Sequence, residues 1–278
     1  MNKTLIKVFE KSLDIMKTDN RCVGGWHFGS IARGLEDELS DVDPVFLIKE
    51  DYFEEFADSI PQMFKEICDE VILIWPEEFN SHVIKNFGIL FVKNKEILQY
   101  DIFLINTAYT NEYMSKIHYA GCTEEDILFD KHGEVKYLLE NQEDESIAER
   151  DILQLIDKYW FHCNMMIKYY RREDIYKLMK NLQIIFSTHF ELLLSKYQKT
   201  NWGGWDSLIK HNIPQEKQIE LLQYFCSGNL LEINKALYKV TNLFSQDAHR
   251  ICKDKGFDYP QEIEQNIMNN FRKYVHKI

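Results

Sequence analysis

The chain has no CxxC pair, no apolar run as long as a membrane span and no excess of basic residues. Its six cysteines (Cys22, Cys68, Cys122, Cys163, Cys226 and Cys252) are scattered singly. That spacing signals neither a zinc site nor a thioredoxin-type motif. They read as small buried hydrophobes in a reduced, cytoplasmic protein. No apolar stretch reaches the roughly 20 residues that cross a bilayer. The opening "MNKTLIKVFEKSLDIMKTDN" carries charges throughout, so it reads as an amphipathic helix and not as a signal peptide. Acidic residues number 45 against 33 basic, a net charge of −12. A general nucleic-acid binder would need a basic face to pair with phosphates, so that class is disfavoured. There are no internal repeats and no low-complexity segments.

What is present is a chain of 278 residues, 45% hydrophobic, enough for one large domain or two ordinary ones. The two halves are patterned differently. In the first, short apolar runs rich in β-branched and aromatic residues predict strands at 22–28, 44–48, 71–75, 88–92, 100–105 and 126–130. "KNKE" at 93–96 suits a hairpin turn, and 50–68 suits a helix broken near Pro61. The acidic stretch "LENQEDESIAERD" (139–151) marks a boundary near residue 145. Beyond it the pattern is helical. Leu153, Ile156, Trp160, Cys163 and Ile167 form one apolar stripe, and further helices are predicted at 174–198, 215–226, 230–254 and 260–276. The Gly203-Gly204 loop and Pro214 separate them. The expected fold class is α+β: residues 1–145 form a mixed β-sheet domain with flanking helices, and 146–278 an all-α helical bundle.

One stretch concentrates the chemistry. "GGWHFGSIARGLEDELSDVDPVFLI" (24–48) joins an apolar strand to a Gly-Ser pair. After a ten-residue gap it reaches Asp41-Val42-Asp43 at the mouth of a second strand. In a strand over 41–48 the two carboxylates share a face, with Cα atoms about 6.6 Å apart at roughly 3.3 Å per residue. Burying them unpaired is costly; divalent cations bound with phosphate oxygens resolve the conflict. Gly29 permits close backbone approach, Ser30 adds a hydroxyl, and a helix starting there would favour phosphate. Arg33 can meet a phosphate oxygen. Pro44, directly after the second Asp, suggests a bulge or an unpaired ladder position. The alternative for Asp41 and Asp43 is a turn or cap before a strand.

The combination of Gly29-Ser30, the ten-residue gap and Asp41-x-Asp43 resembles the signature of the DNA polymerase β-type nucleotidyltransferases. The resemblance implies a third carboxylate on a later strand, and Asp101 in "LQYDIFLI" stands in that position; otherwise it is an edge or turn residue. The order of later segments is similar to that of the antibiotic nucleotidyltransferases. "ILFVKNKEILQYDIFLI", "DKYWFHCNMMIKYYRREDIYKLMKNLQ" and the closing "YFCSGNLLEINKALYKVTNLFSQDAHRICKDKGFDYP" carry this likeness. The ten-residue gap is closer to the lincosamide nucleotidyltransferases, and the C-terminal half to the aminoglycoside 6-adenylyltransferases.

That resemblance implies transfer of AMP from Mg-ATP to a hydroxyl of a small-molecule antibiotic, with two Mg²⁺ ions. It assigns Asp41, Asp43 and Asp101 to metal and catalysis, Asp101 either completing a metal site or accepting the hydroxyl proton. Gly29, Ser30, Arg33 and Lys168 are assigned to the nucleotide, with the helical domain completing the substrate cleft. Asp157, eleven residues before Lys168, returns to the same helix face about 16 Å along the axis. It is a candidate contact for the acceptor, or an ordinary exposed acid. The acidic loop of Glu36, Asp37 and Glu38 suits a polycationic aminoglycoside, or is a solvated turn. His27, His162, His189 and His249 read as structural. Trp202, Trp205 and Tyr176 read as packing residues that could otherwise stack on a ring. Two rival classes stay open: a nucleotide-binding protein without chemistry, and a transferase acting on a protein or RNA.

Overall fold

The computed structural model describes residues 1–142, 149–197 and 206–275. The chain divides into two compact units, Met1–Asp144 and Glu145–Ile278. The six cysteines form no disulfide. Among the described residues no helix is long and apolar enough to cross a membrane.

The first unit is built on six strands: β1 (Cys22–His27), β2 (Pro44–Ile48), β3 (Glu70–Pro76), β4 (Ile84–Lys93), β5 (Glu96–Asn106) and β6 (Ile127–Asp130). Their spatial order is β3-β4-β5-β2-β1-β6. β2 and β5 are parallel, with Val45 opposite Phe103 and Leu47 opposite Ile105; the other neighbours run antiparallel. Five helices accompany the sheet: α1 (Lys3–Thr18), α2 (Gly29–Ala32), α3 (Phe53–Ile67), α4 (Tyr113–Lys116) and α5 (Glu134–Glu140).

Every residue of β2 is buried, as its unbroken apolar run requires of a strand covered on both faces. Phe46, Ile48, Tyr100, Ile102 and Leu104 form one core with Leu5, Val8 and Met16 of α1 and with Phe53, Phe56, Ile60 and Phe64 of α3. Side chains alternate along a strand. Asp101 and Phe103 therefore lie on the opposite face, away from α1 and α3. Behind Asp101, the Tyr100 hydroxyl lies 2.6 Å from Ser12 Oγ of α1.

Several local expectations change. β2 starts at Pro44, so Asp41–Asp43 precede the strand instead of opening it. Pro44 occupies the first ladder position, opposite His27, where a missing N–H is tolerated. The β1–β2 register shift falls between Cys22 and Gly24, at the far end, so Pro44 marks no bulge. Pro61 sits inside α3 without breaking it. The helix gives up one backbone bond there but keeps its apolar stripe buried on both sides of the proline, from Phe53 to Ile67. The hairpin turn is the two-residue Asn94-Lys95, at φ 52° and 67°, left-handed as such turns require. Asp69 accepts from the Asn94 N–H and pairs with Lys93. The apolar β3 is an edge strand, and its Trp75 is 54% exposed.

The second unit holds α6 (Glu149–Arg171), α7 (Ile175–Tyr197), α8 (Ser207–Asn212), α9 (Gln215–Leu221), α10 (Leu230–Lys255) and α11 (Gln261–Tyr274). α8 has no counterpart in the sequence reading, and the Gly203-Gly204 loop lies outside the described residues. The α6 stripe is buried at Ile152, Ile156, Trp160, Cys163 and Ile167, with Leu153 at its edge. At its centre Tyr159 stacks on Phe244 and its hydroxyl lies 3.0 Å from that of Tyr224. His189 joins the Tyr224 hydroxyl at 2.8 Å to Asp247 at 3.1 Å. Asp247 is closed by Lys217 at 2.7 Å. Burial opposes ionisation of Asp247, but the hydrogen bonds from His189 and Lys217 prevail and hold its carboxyl below the usual range.

Removing one member of a buried ion pair leaves its partner undercompensated, and without Asp247 the buried Lys217 keeps only Glu220. Asp247→Ala is therefore expected to cost about 3–5 kcal/mol in urea unfolding. Asp254→Ala, which breaks the exposed pair with Lys196, is expected to cost much less, because solvent screens that pair. Equal losses would show that the network does not stabilise the helical unit.

Candidate active site

Two backbone hydrogen bonds set the positions of the acidic residues. The Phe28 N–H donates to the Asp43 carbonyl at 3.2 Å, and the Asp101 N–H donates to the Val42 carbonyl at 3.0 Å. The segment before β2 is thereby held between β1 and β5, although it is not itself strand. Asp41, Asp43 and Asp101 each offer a carboxylate oxygen, and these oxygens lie within 4.8 Å of one another. All three residues are half-buried.

Such crowding disfavours full ionisation. Burial, reinforced by Asp41 and Asp101 and opposed by Arg33, pushes the Asp43 carboxyl up to about 8. Burial and Asp41 raise Asp101 to about 6, against the hydrogen bond from Gln99. Arg33 offsets part of this repulsion at Asp43.

The Gly-Ser turn abuts this cluster. Gly29 has φ +65°, and a Cβ there would overlap the Asp43 carboxylate. Glycine is thus required twice, by backbone conformation and by space. α2 spans a single turn, too short for the helix-end attraction expected of it. The Ser30 hydroxyl oxygen is buried and hydrogen-bonded to nothing among the described residues. A buried polar atom left in this way is costly unless a ligand reaches it. The Arg33 guanidinium lies 5.5 Å from the Phe28 ring centre. Burial lowers its pKa, countered by Cys122 and Asp43.

Two residues absent from the sequence reading complete the geometry. Gly88 pairs with Asp101 across β4–β5, and a Cβ there would come within 3.1 Å of Asp101 Oδ1. Gln99 donates from Nε2 to Asp101 Oδ2 at 2.9 Å and to Asp41 Oδ2 at 3.2 Å. Each left a signal: a glycine inside an apolar strand is unfavourable unless space is needed, and Gln99 shares a strand face with Asp101.

Asp157 and Lys168 belong to the second unit, both exposed on α6. The Lys168 ammonium lies 5.3 Å from the Tyr169 ring centre. Tyr176 is 90% exposed, so it is not a packing residue; Trp202 and Trp205 lie outside the described residues. His27 sits beside the Phe9 ring, and burial lowers its pKa. His118 packs against Phe28 and Phe103.

A mixed sheet that brings three acidic side chains beside a Gly-Ser turn, followed by an all-α unit, is a nucleotidyltransferase-type α+β fold. The streptomycin adenylyltransferase family model matches residues 4–277, and the chain belongs to that family. Membership makes it a nucleotidyltransferase. No curated protein matches the chain. Among solved structures it is similar to an aminoglycoside 6-adenyltransferase from Bacillus subtilis, at 15% identity, with 98% of each chain covered and a TM-score of 0.46. It is also similar to a protein from H. pylori assigned as a nucleotidyltransferase, at 11% identity, covering 87% of this chain and 99% of that one, with a TM-score of 0.28.

The raised Asp43 and Asp101 carboxyls set a sign for stability. An unfolded Asp titrates near 3.9, so between pH about 4 and about 8 the folded chain holds protons that the unfolded chain has lost. Stability of chelator-treated protein is therefore expected to fall as pH rises through that window. Asp43→Asn should flatten the fall. A thermal midpoint that rises from pH 5 to pH 8 and is unchanged in its slope by Asp43→Asn would contradict this electrostatic account.

Proposed function

We propose that the protein transfers AMP from Mg-ATP to a hydroxyl group of an aminoglycoside of the streptomycin class. The observation that carries this reading is the convergence of Asp41, Asp43 and Asp101 beside the orphaned Ser30 hydroxyl in a chain of this family. The residues fit divalent ions: three oxygens within 4.8 Å of one another, two of their carboxyls raised by mutual repulsion and burial. Hard carboxylate oxygens with room for phosphate and water are the ligand set Mg²⁺ prefers.

Asp41 and Asp43 would hold the ions, two in number. Mg²⁺, when bound, neutralises charge on the triphosphate and polarises its α-phosphorus. Asp101 either completes the ion's ligand set or takes the proton of the acceptor hydroxyl, which then attacks the α-phosphorus as pyrophosphate leaves. Gly29 leaves room for Asp43 and for the nucleotide. Ser30 donates its hydroxyl to a phosphate oxygen, and Arg33 supplies a guanidinium to the same group. From the helical unit, Lys168 is assigned to the triphosphate and Asp157 to an ammonium or guanidinium of the acceptor. The exposed acids of the 36–38 loop attract a polycation over longer range; Asp37 is partly committed to its own turn, accepting from the Leu39 N–H and the Ser40 hydroxyl. Positioning and charge neutralisation supply most of the rate.

The test is mass spectrometry of acceptors after incubation with the protein, Mg²⁺ and each nucleoside triphosphate. Streptomycin should gain one AMP. Asp41→Asn and Asp43→Asn should each lower turnover by about 10³-fold, the scale of several kcal/mol of metal-ion stabilisation. A product on lincomycin alone would move the acceptor to the lincosamides, as the ten-residue gap allows. Nucleotide binding without transfer to any small molecule would sink the antibiotic reading and point to a protein or RNA acceptor.

Lys168→Ala is expected to raise KM for ATP by about tenfold or more, the worth of a charge-assisted hydrogen bond, with a smaller change in kcat. An unchanged KM would remove Lys168 from the site.

A further inference from the structure

The carboxylate cluster has an uncharged neighbour that its family signature does not include. Gln99 and Asp101 are two residues apart on β5 and face the same way. The Gln99 carboxamide nitrogen carries two hydrogens, and it has two acceptors: Asp101 Oδ2 at 2.9 Å and Asp41 Oδ2 at 3.2 Å. One residue thus links an acid fixed on a strand to an acid that lies before β2, outside any strand.

We propose that Gln99 is a positioning residue for divalent-cation binding: its carboxamide clamps one oxygen of Asp41 and one of Asp101, leaving their remaining lone pairs oriented for the ion. The inference rests on the metal-dependent reading given above. The two clamped carboxylates repel, and Asp41 has no ladder of its own to fix it. A donor between them sets their spacing before any ion arrives. The chemistry of that donor is narrow. A lysine or arginine would set the spacing but compete with the ion through its permanent charge. A glutamate would add a fourth negative charge and donate nothing when ionised. A neutral amide provides two N–H groups with no net charge. A carboxylate oxygen has more than one acceptor site, so the clamp and an ion can share one carboxylate. Outer hydrogen-bond partners of this kind typically govern metal affinity by 10–100-fold.

The bland alternative is that Gln99, exposed on the sheet surface, makes these contacts incidentally. Mn²⁺ binding to the full chain, followed by electron paramagnetic resonance without nucleotide or acceptor, separates the two. Gln99→Leu keeps the approximate volume and removes both donors; Gln99→Ala repeats the test should leucine pack badly. Both are expected to weaken Mn²⁺ binding about 10–100-fold while the thermal midpoint of the metal-free protein stays near that of the parent. Gln62→Ala, which removes another exposed glutamine hydrogen-bonded to an acid on α3, should leave Mn²⁺ affinity unchanged. Parent and Gln99 variants binding Mn²⁺ equally well would overturn the clamp and leave the metal site standing. A parent that binds no Mn²⁺, or binds it equally well after Asp41→Asn and Asp43→Asn, would overturn the metal reading and the clamp with it.

Discussion

Three carboxylates whose oxygens lie within 4.8 Å of one another repel, and the rest of the sheet domain works to hold them there. Side chains alone would relax such a cluster by rotating apart. The backbone limits that escape. Val42 and Asp43 each give a carbonyl to a neighbour, one to Asp101 and the other to Phe28, so the acidic segment is fixed from both sides. The β2–β5 pairing then continues the same alignment into the core through Val45–Phe103 and Leu47–Ile105. Cohesion of the apolar sheet centre thus offsets electrostatic strain at its edge.

Shape reinforces this. Gly29 and Gly88 come from distant parts of the chain, yet each faces an aspartate: a Cβ at Gly29 would overlap Asp43, and one at Gly88 would sit tightly, 3.1 Å from Asp101 Oδ1. On the opposite face, α1 and α3 bury Tyr100, Ile102 and Leu104, which keeps β5 from rolling. One face of β5 is therefore committed to packing on α1 and α3, while the other carries Asp101 beside the buried Phe103 and Ile105.

Much of this could be read from the amino acids. Gly29-Ser30 and Asp41-x-Asp43 stood out by their spacing and because acids beside a buried apolar run are chemically expensive, the family resemblance pointed to Asp101, and the structure brings those acids together. The strands at 44–48 and 100–105 followed from their β-branched and aromatic content. Other features were illegible for physical reasons. Pro61 stays in α3 because tertiary burial outweighs a lost backbone bond, a balance that local rules do not contain. That Asp41–Asp43 stay outside the strand was not legible, because where the ladder stops depends on pairing with β1, not on the residues of β2 themselves. Gln99 shares a strand face with Asp101, but its contact with Asp41 exists only once β5 is paired and Asp41 is brought beside it. Tyr176 looks like a core aromatic by type, but its side of α7 faces water. In the helical unit, the apolar stripe of α6 was plain from its spacing, while the polar chain from Tyr159 to Lys217 unites α6, α7, α9, α10 and the turn carrying Tyr224, which no spacing rule connects.

The Asn94-Lys95 turn has a bearing on how this sheet can vary in length. Counting back from the turn, Lys93 opposes Glu96 and the rungs proceed without interruption to Gly88 opposite Asp101. The turn is therefore a parity counter. Lengthening the hairpin tip by one residue in each strand adds a rung and leaves Asp101 facing Gly88. Inserting a single residue into one strand between the turn and that rung shifts the register by one and brings a side chain where the glycine stood. A hairpin that keeps the Asp101–Gly88 rung therefore changes its strand length by paired residues, so the acidic cluster constrains strand register some distance away.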